Sequence, residues 1–256
     1  MNKPICVIPG RMASSRFPGK PLVSLLGLPL ILHVYERCKL YGEFADILVA
    51  TCDEEIKHAV EEHGGKAVMT AKTHERATDR VQEAIETTYP NLRADRLVIM
   101  VQGDELLVSP QMITDIVKSQ QETNSPVVNL GTPIRFDDHD DPNIVKIASA
   151  PDGRILYLSR APIPSCSRAK KVPLYQQTGI MAFRYDFLAQ FAQLPQTPLE
   201  IIESVDMLRV IEHGFALHVV LSETETLGVD VPEDQAKGEK LLARDPLTNS
   251  YLRYLA

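Results

Sequence analysis

The chain has 256 residues, 44% of them hydrophobic and 24% charged, with a formal net charge of −7. That length supports one sizeable core, and the acidic balance argues against a general nucleic-acid surface while leaving room for a local basic site that takes a small anion. The four cysteines, Cys6, Cys38, Cys52 and Cys166, form no CxxC pair and read as buried reduced thiols, and no apolar run approaches the roughly 18 residues of a membrane span. The N-terminal stretch "MNKPICVIPG" is too short in its apolar part for a signal peptide, so a cytoplasmic protein is expected.

In chain order, "ICVIP" (5–9), "DILVAT" (46–51), "KAVMT" (66–70) and "RLVIMVQ" (96–102) read as strands. Their runs are nearly continuous, as in a sheet covered by helices on both faces. Helical patterns lie between and after them. "PLILHVYERCKLYG" (29–42) has Pro29 near its start and Gly42 as its stop. "DEEIKHAVEEHGG" (53–65) has Asp53 as N-cap, and in 76–88 Ala77, Val81, Ala84, Ile85 and Thr88 share a face. "SPQMITDIVKSQQE" (109–122) has Ser109 as cap and Pro110 at its first position. This alternation predicts a parallel, doubly wound sheet over 4–122. Residues 126–184 are strand-rich and are expected to extend the sheet and add a lobe or dimer arm. A helix near 203–213, a strand at 216–222 and a helix near 233–243 complete a single predicted domain, 1–256.

"VIPGRMASSRFPGKPL" (7–22) carries Arg11, Arg16 and Lys20 on a small-residue loop at the end of the first strand. Open α/β sheets bind ligands at the carboxyl ends of their strands, and small residues let backbone N–H groups approach phosphate. Three cations match the charge of a polyphosphate. Gly10 and Gly19 are eight residues apart and Pro21 follows Lys20, so this is neither a Walker A loop nor GxGxxG. A solvated loop that happens to be basic is the bland alternative.

"VQGDELLVSP" (101–110) ends a strand on Asp104 and Glu105, and "LGVDVPEDQ" (227–235) places Asp230 after another. A carboxylate at a strand end can hold Mg²⁺, which needs only one or two protein ligands. A turn or helix-cap role is the alternative for each aspartate. Ser14 and Ser15 lack a His/Asp partner, so a nucleophilic serine is not expected, and His58 and His63 read as solvated.

The run from Ile8 to Leu22 resembles the signature loop of the sugar-activating nucleotidyltransferases. It is most similar to that of the CMP-Kdo synthetases (3-deoxy-manno-octulosonate cytidylyltransferases), roughly I-P-A-R-x-x-S-S-R-x-P-G-K-P-L, with Gly10 in place of alanine. The segments around Asp104 and Asp230 resemble the family's Q-G-D-E-P and G-V-D-T-P-E-D, with Leu106 for proline and Val231 for threonine. "HERATDRVQEAI", "NIVKI", "LYLSRAPIP", "QQTGIMAFR" and "PLEIIESVDMLR" follow in family order, so the resemblance spans nearly the whole chain.

The resemblance implies a Rossmann-like α/β fold with a mixed, mainly parallel sheet of the nucleotidyltransferase (GT-A-like) type and a strand-rich extension. It implies CTP bound by Gly10, Arg11, Ser14, Ser15, Arg16, Lys20 and Gln102, with Mg²⁺ on Asp104 and Asp230. Arg11, Lys20, Asp104 and Asp230 are its implied catalytic set. The sugar acid falls to His74, Glu75, Arg76, Arg80, Arg160, Gln177, Glu200 and Glu203. Glu200 and Glu203 read otherwise as surface helix residues. The implied reaction is attack of the acid's anomeric hydroxyl on the α-phosphorus, giving the CMP-sugar and pyrophosphate for lipopolysaccharide synthesis, by a cytoplasmic homodimer with no nucleic-acid or membrane partner.

Departures cluster around the sugar. Glu75-Arg76-Ala77 replaces Q-S-G, Gln177 replaces a histidine and Met181 a tyrosine. Glu75 is a candidate partner for an amine, as on 8-amino-Kdo, or else pairs with Arg76 or caps the next helix. Another acidic acceptor, another nucleotide, or a catalytically silent nucleotide-binding regulator stay open as alternatives.

Overall fold

The computed structural model describes residues 3–13, 16–168, 173–224 and 226–252. Its strands include β1 (Ile5–Gly10), β4 (Asp46–Thr51), β5 (Lys66–Met69), β6 (Leu97–Val101), β7 (Val127–Pro133), β10 (Tyr175–Arg184) and β11 (Leu217–Leu221). They form one sheet in the order β11-β7-β10-β6-β1-β4-β5. β1 runs parallel to β4 and β6, β4 to β5, and β11 to β7, while β10 is antiparallel to both β6 and β7. The sheet is mixed and mainly parallel, as the resemblance implies.

Consecutive residues of each central strand point to opposite faces. Ile5 and Val7 join one apolar cluster, under α3 (Ala77–Thr88), α5 (Tyr185–Phe191) and α7 (Met207–Glu212). Cys6 and Ile8 join the other, under α1 (Leu30–Lys39), α2 (Glu54–Glu62), α4 (Pro110–Thr123) and α9 (Pro246–Leu252). Both faces are covered, which is why these strands read as unbroken apolar runs.

The strand-rich segment divides. β7 and β10 are central strands, whereas β8 (Lys146–Ser149) and β9 (Ile155–Ser159) form a hairpin that touches the sheet through Gln176 opposite Lys146. The helix expected near 203–213 is α7, which starts only at Met207; an unexpected short helix, α6 (Pro198–Glu203), precedes it and ends at Ser204, φ 52. That break turns the 204–206 segment toward the ligand edge. The expected final helix is α8 (Glu233–Leu242). The small pair β2 (Ser24–Leu25) and β3 (Leu28–Pro29), α5 and α9 had no sequence signal, because each is too short to show a period. All four cysteines are free, but only Cys6 and Cys38 are buried; Cys52 and Cys166 are half-exposed, against expectation. His63 is also not solvated: its ring bonds Glu36 at 2.9 Å beneath α2.

Candidate active site

The site is built at the carboxyl ends of β1 and β6. After β1 the chain loops back on itself, with Gly19 N–H donating to the Met12 carbonyl at 3.0 Å and Gly19 at φ 75, a conformation that suits glycine. Asp53, expected to cap α2, instead accepts the Met12 N–H at 2.8 Å and ties this loop to the end of β4. A Cβ on Gly10 would stand 2.6 Å from Ile31 Cδ1, so the alanine that the resemblance puts here would require the Ile31 side chain to shift. Lys20 follows on a single 3-10 turn, Lys20–Leu22. Ser14 and Ser15 lie outside the described residues.

Backbone bonds lace the two aspartate segments together. Val229 N–H donates to the Asp104 carbonyl at 3.1 Å, and Leu106 N–H to the Leu227 carbonyl at 3.0 Å. Beneath them Leu25, Leu30, Leu106, Leu227, Val229 and Leu242 form a small separate apolar cluster. Leu106 and Val229 stand within two residues of Asp104 and Asp230, so the cluster's packing fixes where those charges emerge.

The charges converge. Lys20 Nζ donates to Asp104 Oδ2 at 2.6 Å and to Asp230 Oδ1 at 3.2 Å, and Arg16 Nη2 reaches the same Asp230 oxygen at 3.0 Å. Burial pulls the Lys20 pKa down, but Asp104 and Asp230 outweigh it and the net shift is upward. Asp230 does not cap α8: Asp234 Oδ2 serves that entry, accepting N–H bonds from Asp230 and Val231 at 2.8 and 3.0 Å. Two hard carboxylate oxygens facing one cationic point are a donor set that fits a Mg²⁺-type ion. Among the described residues no group of three or more His, Cys, Asp or Glu side chains has metal-binding geometry, so Asp104 and Asp230 are the two side chains that would hold such an ion.

Two cavities meet at this point. One, of about 410 Å³, is lined by Gly10, Arg11, Lys20, His74, Glu75, Arg76 and Arg80. The other, of about 600 Å³, is lined by Arg135, Asn143, Arg160, Gln177 and Met181. Arg16, Gln102, Asp104, Ser204, Asp206 and Asp230 line both and form the border.

The residues implied for the sugar therefore divide into three groups. His74, Glu75, Arg76 and Arg80 share the first cavity with the cationic loop. The His74 ring bonds Glu83, and its carbonyl accepts from Arg11 Nη1 at 3.5 Å. Arg80 is almost wholly buried; its Nη1 bonds Thr70, and its Nη2 has no partner among the described residues. Glu75 is exposed and makes neither expected bond, since α3 has no side-chain cap and Arg76 turns instead to Ser204 Oγ at 3.3 Å and Glu200 at 3.7 Å.

Arg160 and Gln177 line the second cavity. Gln177 Nε2 donates to Asn129 Oδ1 at 2.7 Å, and Arg160 spends Nε on the Glu203 carbonyl at 2.8 Å.

Glu200 and Glu203 line neither cavity. The surface alternative fails for Glu200, which is 0% exposed, pairs with Arg209 at 2.6 and 2.7 Å and closes the capping box of α6. Glu203 accepts from Ser159 Oγ at 2.6 Å and Arg160 N–H at 2.8 Å. Burial opposes its charge, yet these bonds hold its carboxyl below the usual range.

Four residues in or behind the site were not assigned to CTP, metal or sugar from the sequence. Glu105 is buried behind Asp104, bonded by Gly179 N–H and by Thr226 Oγ1 at 2.9 Å; burial, then the Asp104 charge, push it up to about 7. Asp206 accepts from Thr78 Oγ1 at 3.1 Å and is shifted upward by burial, with Arg76 opposing. Asn143 meets Arg16, and Lys146 lies buried behind it. Glu105, Asp206, Asn143 and Lys146 stand inside the family-like segments, but only tertiary contact separates them from their neighbours.

Known proteins resemble this chain in sequence and in fold. A family model described as cytidylyltransferase matches residues 5–224. The 3-deoxy-manno-octulosonate cytidylyltransferase of Thermodesulfovibrio yellowstonii is 41% identical over 249 residues, covering 93% of this chain and 97% of the relative. The 8-amino-3,8-dideoxy-manno-octulosonate cytidylyltransferase of Shewanella sp. (strain ANA-3) is also 41% identical, over 242 residues, covering 93% and 98%. Among solved structures, a CMP:2-keto-3-deoxy-manno-octonic acid synthetase complexed with CTP superposes with TM-score 0.86 at 36% identity, covering 94% of this chain and 99% of that one. Cations on the loop after β1, two aspartates held against them and this likeness over nearly the full length lead to one conclusion: the chain belongs to the cytidylyltransferase family and is a nucleotidyltransferase.

Proposed function

We propose that the chain couples CTP to 3-deoxy-manno-octulosonic acid or its 8-amino analogue, releasing pyrophosphate, as a Mg²⁺-dependent cytoplasmic enzyme of lipopolysaccharide synthesis. The reading rests on one observation above the others. Lys20 bridges Asp104 and Asp230 at the border of two cavities, one of which carries the cationic loop.

CTP occupies the first cavity and the sugar acid the second. Arg11, Arg16 and Lys20 hold the triphosphate, with Gln102 at the border. Lys20 exchanges its carboxylate partners for phosphate oxygens as the nucleotide arrives and neutralises charge on the leaving pyrophosphate. Asp104 and Asp230 would hold Mg²⁺, which would supply positive charge against the α-phosphate and favour ionisation of the attacking hydroxyl. The two cavities aim the anomeric hydroxyl in line at the α-phosphorus, so positioning supplies much of the acceleration.

This arrangement moves His74, Glu75, Arg76 and Arg80 from the sugar to the nucleotide. Arg80 Nη2, a buried donor with no partner among the described residues, then serves CTP. Glu75 no longer reports on an amine at C8; Gln177 and Met181, in the second cavity, are the departures that face the acid. Arg160 is the acid's cation, and Glu203 sets its backbone. A homodimer contact within 126–184 falls on the β8–β9 hairpin, since β7 and β10 are inside the sheet.

The experiment is pyrophosphate release with CTP and Mg²⁺, offering Kdo and 8-amino-Kdo separately. Release with either acid is expected. Release with neither, despite CTP binding, leaves a silent regulator or another acceptor and ends this reading.

A further inference from the structure

Lys146, the first residue of β8, is fully buried. Its ammonium donates to three backbone carbonyls: Asp141 at 2.8 Å, Ile144 at 2.7 Å and Arg160 at 2.5 Å. An ammonium has three N–H bonds and no acceptor, so three carbonyls saturate it. No carboxylate forms an ion pair with it among the described residues. Asp141, Asp140 and Glu203 act on this charge only from beyond ion-pair distance; a buried charge so weakly compensated is costly, and a methionine fills similar space without that cost. The charge must therefore serve the carbonyls that it gathers.

Two of those carbonyls flank Asn143, and the third belongs to Arg160. Asn143 Oδ1 accepts from Arg16 Nη1 at 3.0 Å, and Arg16 is paired with Asp230. Arg160 Nη1 returns to the same turn, donating to the carbonyls of Pro142 at 3.0 Å and Asn143 at 3.4 Å. Asn143 and Arg160 line the second cavity; Lys146 stands behind them and touches neither cavity.

We propose that Lys146 is a positioning residue for the reaction: its ammonium clamps the 141–144 turn to the Arg160 backbone, setting the wall of the second cavity in register with Arg16 and the nucleotide loop. The proposal rests on the reading that the second cavity takes the sugar acid. Lys146 never meets substrate. It decides where Asn143 and Arg160 stand relative to a nucleotide held by the loop after β1.

The test is Lys146→Met, with steady-state kinetics run at saturating CTP and varied acid, then the reverse. The KM for the acid is expected to rise about tenfold or more while the KM for CTP moves less than about threefold. Because Lys146 acts through the turn, the double variant K146M/N143A should match K146M alone instead of multiplying the two losses. Hydrogen–deuterium exchange without substrates should show the amides of Asn143, Ile144 and Arg160 losing protection while β1, β4 and β6 keep theirs. An unchanged acid KM in folded K146M, multiplied losses in the double variant, or retained protection overturns the proposal. Should K146M not fold, N143A alone decides: its acid KM is expected to rise about fivefold, and an unchanged value overturns the clamp. If the unmodified protein releases no pyrophosphate with any 3-deoxy-ulosonic acid, the substrate reading has failed, and exchange still judges the clamp.

Discussion

The rim around Lys20 and the turn around Lys146 each gather oxygen atoms about one ammonium, but in opposite ways. Lys20 has a side chain 12% exposed and holds two carboxylates. Burial lowers its pKa, but those two charges overcome it, and the ammonium stays firmly charged. Lys146 is sealed from solvent among carbonyl dipoles; burial lowers its pKa and the more distant Asp141 charge only partly resists. Ion pairs at a rim can be traded for a ligand's charges, whereas carbonyl bonds inside the protein can only hold the chain in place. One region is built to exchange partners and the other to keep them.

The comparison breaks most sharply at the rim. Under the proposed function, Asp104→Asn removes a charge that would hold Mg²⁺ while keeping the cations of the loop after β1. Turnover is expected to fall by about 10³-fold or more with CTP affinity changed only a few-fold. Calorimetric titration with CTP beside a pyrophosphate assay reads both, and normal turnover would sink the aspartate assignment.

The next largest effect belongs to the supporting side. Glu200→Ala strands the Arg209 guanidinium, 3% exposed, without its partner. A loss of about 3–5 kcal/mol in stability is expected, read as a fall in melting temperature. A melting curve like that of the unmodified protein would mean that Glu200 is no brace.

Lys20→Ala should cost about 10²-fold in kcat/KM for CTP, with little change in melting temperature, because its partners are half-exposed and can be rehydrated. An unchanged rate would remove Lys20 from the triphosphate site.

The smallest effect is pH-dependent. The Glu203 carboxyl is held below its ordinary value of 4.5, against burial, by Ser159, the Arg160 N–H and Tyr157. Its folded pKa lies below the unfolded one, so its contribution is fully present above about pH 4.5 and is lost as pH falls through the folded value. Glu203→Gln should therefore flatten the fall in melting temperature on acidification below that pH. Parallel melting curves for both proteins across the acid range would contradict it.

Much of this molecule was legible beforehand where the signal is local. The first four sheet strands, the cap of α4 by Ser109 and the loop carrying Arg11, Arg16 and Lys20 follow from short runs of residue types. Legibility ended where partners are remote. Asp53 had every mark of a helix cap and instead accepts the Met12 N–H, because a loop forty residues earlier offers a better-placed donor. The helix expected near 203–213 starts only at Met207, and before it α6 ends at Ser204, whose left-handed backbone no propensity announces. Glu200, polar on a short helix, reads as surface until Arg209 is packed against it.

By itself, the sequence determined the alternation of strand and helix, the basic loop and the two aspartate motifs, since periodicity and motif chemistry are carried by neighbouring residues. Only the tertiary structure decided that Lys20 faces both aspartates, that His74 to Arg80 border the cationic loop after β1 and not Gln177, and that Lys146 is buried against carbonyls. Each of those depends on segments tens to hundreds of residues apart being packed to fixed distances, and packing is a property of the folded core, not of any stretch of chain.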